Sequence, residues 1–170
     1  VTAASARARC PTGEIVLRPV VARDRDRILA WNGEAAVRAR SLDPRPIDAA
    51  THASWLAGRL ADPLARLSIA LHDGRPVGLV RIERTRRHGR GRISIVIDPG
   101  ARGHGVGCAA VKAACRADRG VIVAEILDEN VASRACFAAA GFVPAPDNSL
   151  PTPLAPGAHR YLWRPDHDEP

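Results

Sequence analysis

The sequence predicts one mixed α/β domain, and three observations predict it. The 170 residues fall within the ~100–200 of a single domain able to bury a core. Short apolar runs of strand length alternate with stretches whose apolar residues recur at helical spacing, in the order β-α-α-β-β-β-α-β-α-β. Between a β-branched strand and an Ala-rich helix lies a glycine-rich loop, and chemistry is sought at such a junction.

Each element has its own warrant. Residues 14–20 (EIVLRPV) form an apolar run that closes on Pro19 and read as the first strand. Residues 24–31 carry Ile28, Leu29 and Trp31 at helical spacing behind Asp24. Residues 46–60 form a second helix, with Asp48 as N-cap and Trp55, Leu56 and Leu60 as apolar positions. The apolar runs 64–71 and 76–82 flank His72-Asp73-Gly74-Arg75, and Asp-Gly between two such runs signals a hairpin. Residues 84–92 are a polar, basic turn, and 92–98 (RISIVID) are the fourth strand. The Gly-rich stretch 99–107 passes into an Ala-rich helix over 106–118. Residues 121–127 are the fifth strand, 131–140 a helix and 158–164 the last strand. Residues 144–156, rich in proline, read as a loop.

Residues 1–13 are small, polar and basic, and lack the ~7–15-residue apolar stretch of a secretory signal. They read as a mobile tail before a domain over 14–164, with a second tail over 165–170. No apolar run approaches the ~18 residues of a membrane span. Cys10, Cys108, Cys115 and Cys136 show neither a C-x-x-C pair nor Cys/His ligand spacing, so neither a disulfide framework nor a metal site is expected. Reduced core thiols in a cytoplasmic protein are the expectation, with Cys108 and Cys115 on one helix face. The net charge is +7, but 24 Arg stand against one Lys (Lys112), beside 31 Ala. That is the composition of a GC-rich coding bias, so only part of the charge speaks of anionic partners.

The loop Arg102-Gly103-His104-Gly105-Val106-Gly107 has its strength in its setting. A strand leads in, Pro99-Gly100 breaks it, and a helix begins within the glycines. Their missing Cβ atoms let an anion approach the N–H groups at the helix start, where the dipole assists. A dinucleotide fingerprint fits badly, since the loop follows several antiparallel-looking strands. A phosphate loop of the Walker type is excluded, because no Lys-Ser/Thr follows the last glycine. A glycine-rich turn that binds nothing is the plain alternative.

Two motifs in this order resemble those of the GCN5-related N-acetyltransferases, and the resemblance spans residues 15–164. One is the strand 93–98 running into RGHGVG; the other is Asn130-x-x-Ser133 followed by a helix that ends in Gly141-Phe142. The resemblance implies a mostly antiparallel sheet whose fourth and fifth strands splay apart to admit acetyl-CoA. It implies pantetheine along Val96 and Ile97, and pyrophosphate on the backbone of Arg102, Gly103, His104, Gly105, Val106 and Gly107. Asn130 and Phe137 would lie beside the cofactor, although Asn130 is equally the residue an N-cap requires. No metal is implied.

Acetyl transfer to an amine needs a base for the ammonium proton and a proton for the departing thiolate. Similar proteins often place a Glu on the fifth strand, twelve residues before a Tyr that serves as acid. Glu125 holds the first position here, but Phe137 holds the second and cannot donate. Cys136 and Ser133 are the nearby donors. Glu125 sits among apolar residues, where burial would raise its pKa, or else it is an edge carboxylate paired with an Arg. Glu83 and Asp98, each at a strand end, are further candidate bases acting through water, which Ser94 could hold.

For the acceptor, Trp31-Asn32, Arg38, Ser41, His52 and Trp55, with Gly78-x-x-Arg81, resemble a subgroup that acetylates a UDP-linked amino sugar. Arg38 and Arg81 would meet its diphosphate, and Trp31 and Trp55 its uracil. Core packing for both tryptophans and a surface or capping role for His52 stand beside that reading. A protein N-terminus, a polyamine or an antibiotic amine are alternative acceptors, and a non-catalytic acyl-CoA-binding module is the rival of another class. Nucleic acid is disfavoured, because the basic run 84–92 has no interleaved aromatics. The chain is expected to act as a monomer or homodimer.

Overall fold

The computed structural model describes residues 6–84 and 89–165; the ends of both expected tails and residues 85–88 of the basic turn lie outside them. The expected tail contains a strand. Arg7–Cys10 (β1) pairs antiparallel with Gly13–Pro19 (β2), and Ala8 is buried while Arg7 and Arg9 face outward. The alternation is there in the sequence, but its inward residues are small and make no apolar run.

Arg25–Gly33 (α1), Ala35–Ala39 (α2) and Ala49–Ala61 (α3) follow. Asp48 caps α3 as expected, accepting from the Thr51 N–H at 2.9 Å. Ala65–His72 (β3) and Arg75–Arg84 (β4) make the expected hairpin, with Asp73 and Gly74 at φ +48° and +76°. Positive φ at both turn residues matches the twist of the flanking strands. Gly91–Ile97 (β5) pairs antiparallel with β4 along its whole length. Val106–Arg116 (α4), Ile122–Leu127 (β6) and Val131–Ala139 (α5) complete the expected series. The proline-rich loop starts later than expected: Val143–Ala145 (β7) pairs with Ala158–Trp163 (β8).

The sheet runs β1-β2-β3-β4-β5-β6-β8-β7, and β5 with β6 is its one parallel pair among the described residues. The extra N-terminal strand makes the expected fourth and fifth strands β5 and β6. They pair only at Gly91–Ile122, Arg92–Val123 and Ile93–Ala124, and then diverge. Beyond Ile93 on one strand and Ala124 on the other, backbone N–H and C=O groups face a cleft instead of a neighbour. The mixed, mostly antiparallel sheet with a splay at this place is the expected fold.

Helices cover both faces. The Ala-rich face of α4, with Ala109, Ala110, Ala113 and Ala114 buried, lies close on Ile15, Val80 and Ile82. On the other side α1 and α3 bring Ile28, Trp31 and Leu56 onto Leu67, Ile69, Leu79 and Val96. Among the described residues, no helix is long and apolar enough to cross a membrane.

Candidate active site

The cleft between β5 and β6 opens into a cavity of about 440 Å³, roofed by α2, α3 and the segment joining them. Of the residues singled out in the sequence, Arg38, Ser41, His52, Trp55 and Arg81 meet here on one side. Ser94, Val96, Glu125, Asn130, Ser133 and Phe137 line the other.

Two of the guanidiniums on the cavity wall are held in place by their neighbours. Arg81, on β4, donates from Nε to the Ser94 hydroxyl at 2.8 Å and lies 5.2 Å from the Trp55 ring centroid. Burial lowers its pKa, with Arg92 and Arg38 acting in the same sense and Glu83 against it. Arg38, on α2, donates to the Ser41 hydroxyl at 2.6 Å and to the Arg45 carbonyl at 3.3 Å, while its Nε is buried without a partner. Ser41 in turn donates to the Val37 carbonyl, so the R-x-x-S spacing is one helical turn that fixes the guanidinium.

Glu125 takes the ion-paired arrangement. Its side chain is 4% exposed; Oε1 accepts from Arg160 at 2.7 and 3.0 Å, and Oε2 is ion-paired with Arg92 Nε at 2.9 Å. The partners were hidden in the sequence. Arg160 faces Glu125 across the β6–β8 ladder, and Arg92 stood in a basic run that read as a solvated turn. Arg160 also donates to the carbonyls of Asp147, Leu150 and Thr152, holding the proline-rich loop. In the same basic run, Arg84 pairs with Asp118 and Arg90 donates to the Ser149 carbonyl at 2.7 Å.

Other expectations change place. Trp31 is a core residue, 5% exposed, whose indole donates to Asp98 at 2.8 Å; it does not line the cavity. Asp98 also accepts from the Gly100 N–H and caps the turn before the glycine loop, while Glu83 and Asp98 both lie off the cavity wall. Cys136 turns toward Gly107 on α4 rather than into the cavity, and burial pushes its thiol up to about 12. A thiol so shielded is a packing residue and a poor proton donor to the cleft. Asn130 caps α5, accepting from the Ser133 N–H at 3.2 Å, and lines the cavity as well. Phe137 is buried, edge-on to Phe142 with centroids 4.9 Å apart. His52 is neither a surface nor a capping residue: it is 2% exposed, tilted against Trp55, and both ring nitrogens lack a hydrogen-bond partner.

The glycine loop lies at the far end of the splay. Gly103 and Gly105 adopt φ +81° and +74°, and Gly105 is the N-cap of α4. No side chain caps that helix, so its first N–H groups stay available. The side chain of Arg102 faces inward, to both carboxylate oxygens of Glu34 and, at 3.0 Å, to the Ile97 carbonyl.

The acetyltransferase (GNAT) domain model matches residues 14–143. The chain belongs to the GNAT acetyltransferase family. Solved structures that resemble this GNAT domain share its fold at low identity. Spermidine N-acetyltransferase from Vibrio cholerae, in complex with CoA and spermine, is 16% identical over 88% of this chain and 94% of its own, at TM-score 0.74. RimJ from Mycobacterium smegmatis, in complex with CoA-disulfide, is 20% identical over 94% and 86%, also at 0.74. The aminoglycoside acetyltransferase AAC(6')-Ib, with coenzyme A and kanamycin, is 19% identical over 89% and 95%, at 0.71. Among curated proteins there is no match. The GNAT domain is thus an acetyltransferase by family, and its acceptor has to be argued from the cavity.

Proposed function

We propose that this acetyltransferase moves acetyl from acetyl-CoA to the primary amine of an anionic, phosphate-bearing acceptor, with a nucleotide-linked amino sugar as the leading case. One observation carries the choice of acceptor. Arg38 and Arg81 face one cavity, whereas both carboxylates that line it are already paired, Glu125 with Arg160 and Arg92, and Asp43 with Arg45 at 2.6 Å. A polyamine or aminoglycoside would bring several positive charges to a wall with no free carboxylate. A diphosphate would meet two guanidiniums, one of them held over an aromatic ring.

The residues also fit acetyl-CoA, which supplies the activated acyl group as a thioester. Backbone N–H groups of Gly103, His104, Gly105, Val106 and Gly107 would hold its pyrophosphate at the uncapped start of α4. The unpaired edge of β5 at Val96 and Ile97 would receive the pantetheine amides. Asn130 and Phe137 border the same gap. Of the two donors considered for the departing thiolate, the Ser133 hydroxyl is the one on the cavity wall.

The test has two stages. Acetyl-CoA should raise the melting temperature, as any ligand of the folded state does. Thiol release should then be fastest with UDP-linked 2-amino and 4-amino hexoses, and slow with spermidine, kanamycin and a peptide bearing a free N-terminus. A clear preference for any of the last three would overturn the acceptor reading.

A further inference from the structure

Three side chains able to accept a proton line the cavity among the described residues: Asp43, Glu125 and His52. The first two are engaged by arginines. His52 is different. It is buried on the inner face of α3, and neither Nδ1 nor Nε2 has a partner in the protein. A buried polar group left unpaired costs roughly 1–3 kcal/mol, so such a group implies a partner that arrives with the ligand. We propose that the His52 imidazole takes the proton from the acceptor's ammonium group, as general base of the transfer. The inference rests on the cavity being the acceptor site.

The surroundings of the ring suit that work. Burial is the main influence and lowers its pKa; α1 and β3 pack against α3, and of their charged groups Arg25 opposes protonation while Asp26 favours it. The ring is therefore neutral near pH 7, with one nitrogen lone pair unused. The proton balance closes. One ammonium proton passes to the free ring nitrogen, making an imidazolium that returns it to solvent. The freed amine lone pair forms the C–N bond as the C–S bond breaks, with that bond's electron pair staying on sulfur. The second proton lost by the nitrogen is the one the thiolate gains. No oxidant or reductant is needed.

The experiment compares His52→Gln and His52→Ala with the wild type, using acetyl-CoA and the UDP-linked amino hexose that the wild type turns over. Loss of a positioned base costs about 100-fold or more in kcat. That loss is expected with KM and the acetyl-CoA thermal shift nearly unchanged. The acidic limb of the kcat profile should disappear, and added imidazole should restore part of the His52→Ala rate. Full kcat in His52→Gln, or an unchanged acidic limb, would overturn the assignment. A wild type inert to every UDP-linked amino sugar would refute the acceptor reading alone. His52 is then judged by the ¹⁵N spectrum of histidine-labelled protein, with its resonance identified by loss in His52→Gln. A neutral ring at pH 7 supports the base, and a protonated one refutes it.

Discussion

Asp24 shows how much a single buried charge can organise. It is 1% exposed, accepts from Arg18 at 2.6 and 2.7 Å, and takes the Val21 N–H at 2.9 Å. Arg18's paired donors hold its carboxyl below the ordinary range; burial acts against them, and the Val21 N–H adds to the lowering. A carboxylate with a depressed folded pKa contributes stability above its unfolded value of ~3.9, and loses it as pH falls through the folded value. Asp24→Asn should therefore cost about 3 kcal/mol at pH 7, since Arg18 is left with a neutral partner. The gap from wild type should narrow below about pH 4, read by urea denaturation at each pH. A gap that stays constant down to pH 2 would show that the ion pair is not the source. At this scale the sequence was legible where a side chain acts locally. Asp48 as a cap follows from spacing alone, and the resemblance that singled out Arg38 and Ser41 puts them one turn apart. Glu125 needed Arg160, 35 residues away across a sheet register, and no local spacing announces such a pair.

The elements were mostly legible because their apolar periods are strong, and β1 was missed because its period is written in Ala and Cys. Its loss from view matters to the site, since it hides a support of the glycine loop. A Cβ on Gly105 would lie 2.8 Å from Pro11 Cδ, in the turn between β1 and β2. The same residue holds φ +74° at the start of α4, a region costing roughly 1–2 kcal/mol for a residue with a Cβ. Gly105→Ala should lower stability by about that amount, and more if Pro11 cannot retreat. It should also weaken acetyl-CoA binding, because the strain falls on the N–H groups proposed to face the pyrophosphate. Calorimetric titration with acetyl-CoA would check this; unaltered affinity would place the pyrophosphate elsewhere. Gly103→Ala separates strain from clash, since a Cβ there meets nothing within 4 Å although φ is +81°.

Across the whole molecule, the abundance of arginine first looked like codon bias, and several of the 24 are engaged in internal pairs. Arg18, Arg84, Arg92, Arg102 and Arg160 each hold a carboxylate of their own protein. What the site keeps is smaller and better placed: Arg38 and Arg81 on the cavity wall, where low-dielectric surroundings concentrate a positive field. No reading of composition could separate these two from the other arginines, because the distinction lies in tertiary placement, Arg81 keeping only a 4.0 Å ion pair with Glu83. If that field selects the acceptor, the reaction must respond to salt with a defined sign. For a UDP-linked amino sugar, kcat/KM should fall several-fold between about 50 and 300 mM salt, as screening shortens the reach of the two guanidiniums to roughly 6 Å. For a polyamine the same change should leave the rate level or raise it, since repulsion is what salt removes. Arg81→Ala should flatten the dependence for the anionic acceptor while the acetyl-CoA affinity holds. The opposite pair of slopes, with turnover of the cationic amine falling as salt rises, would mean that the carboxylates of the cavity are freer than their ion pairs imply.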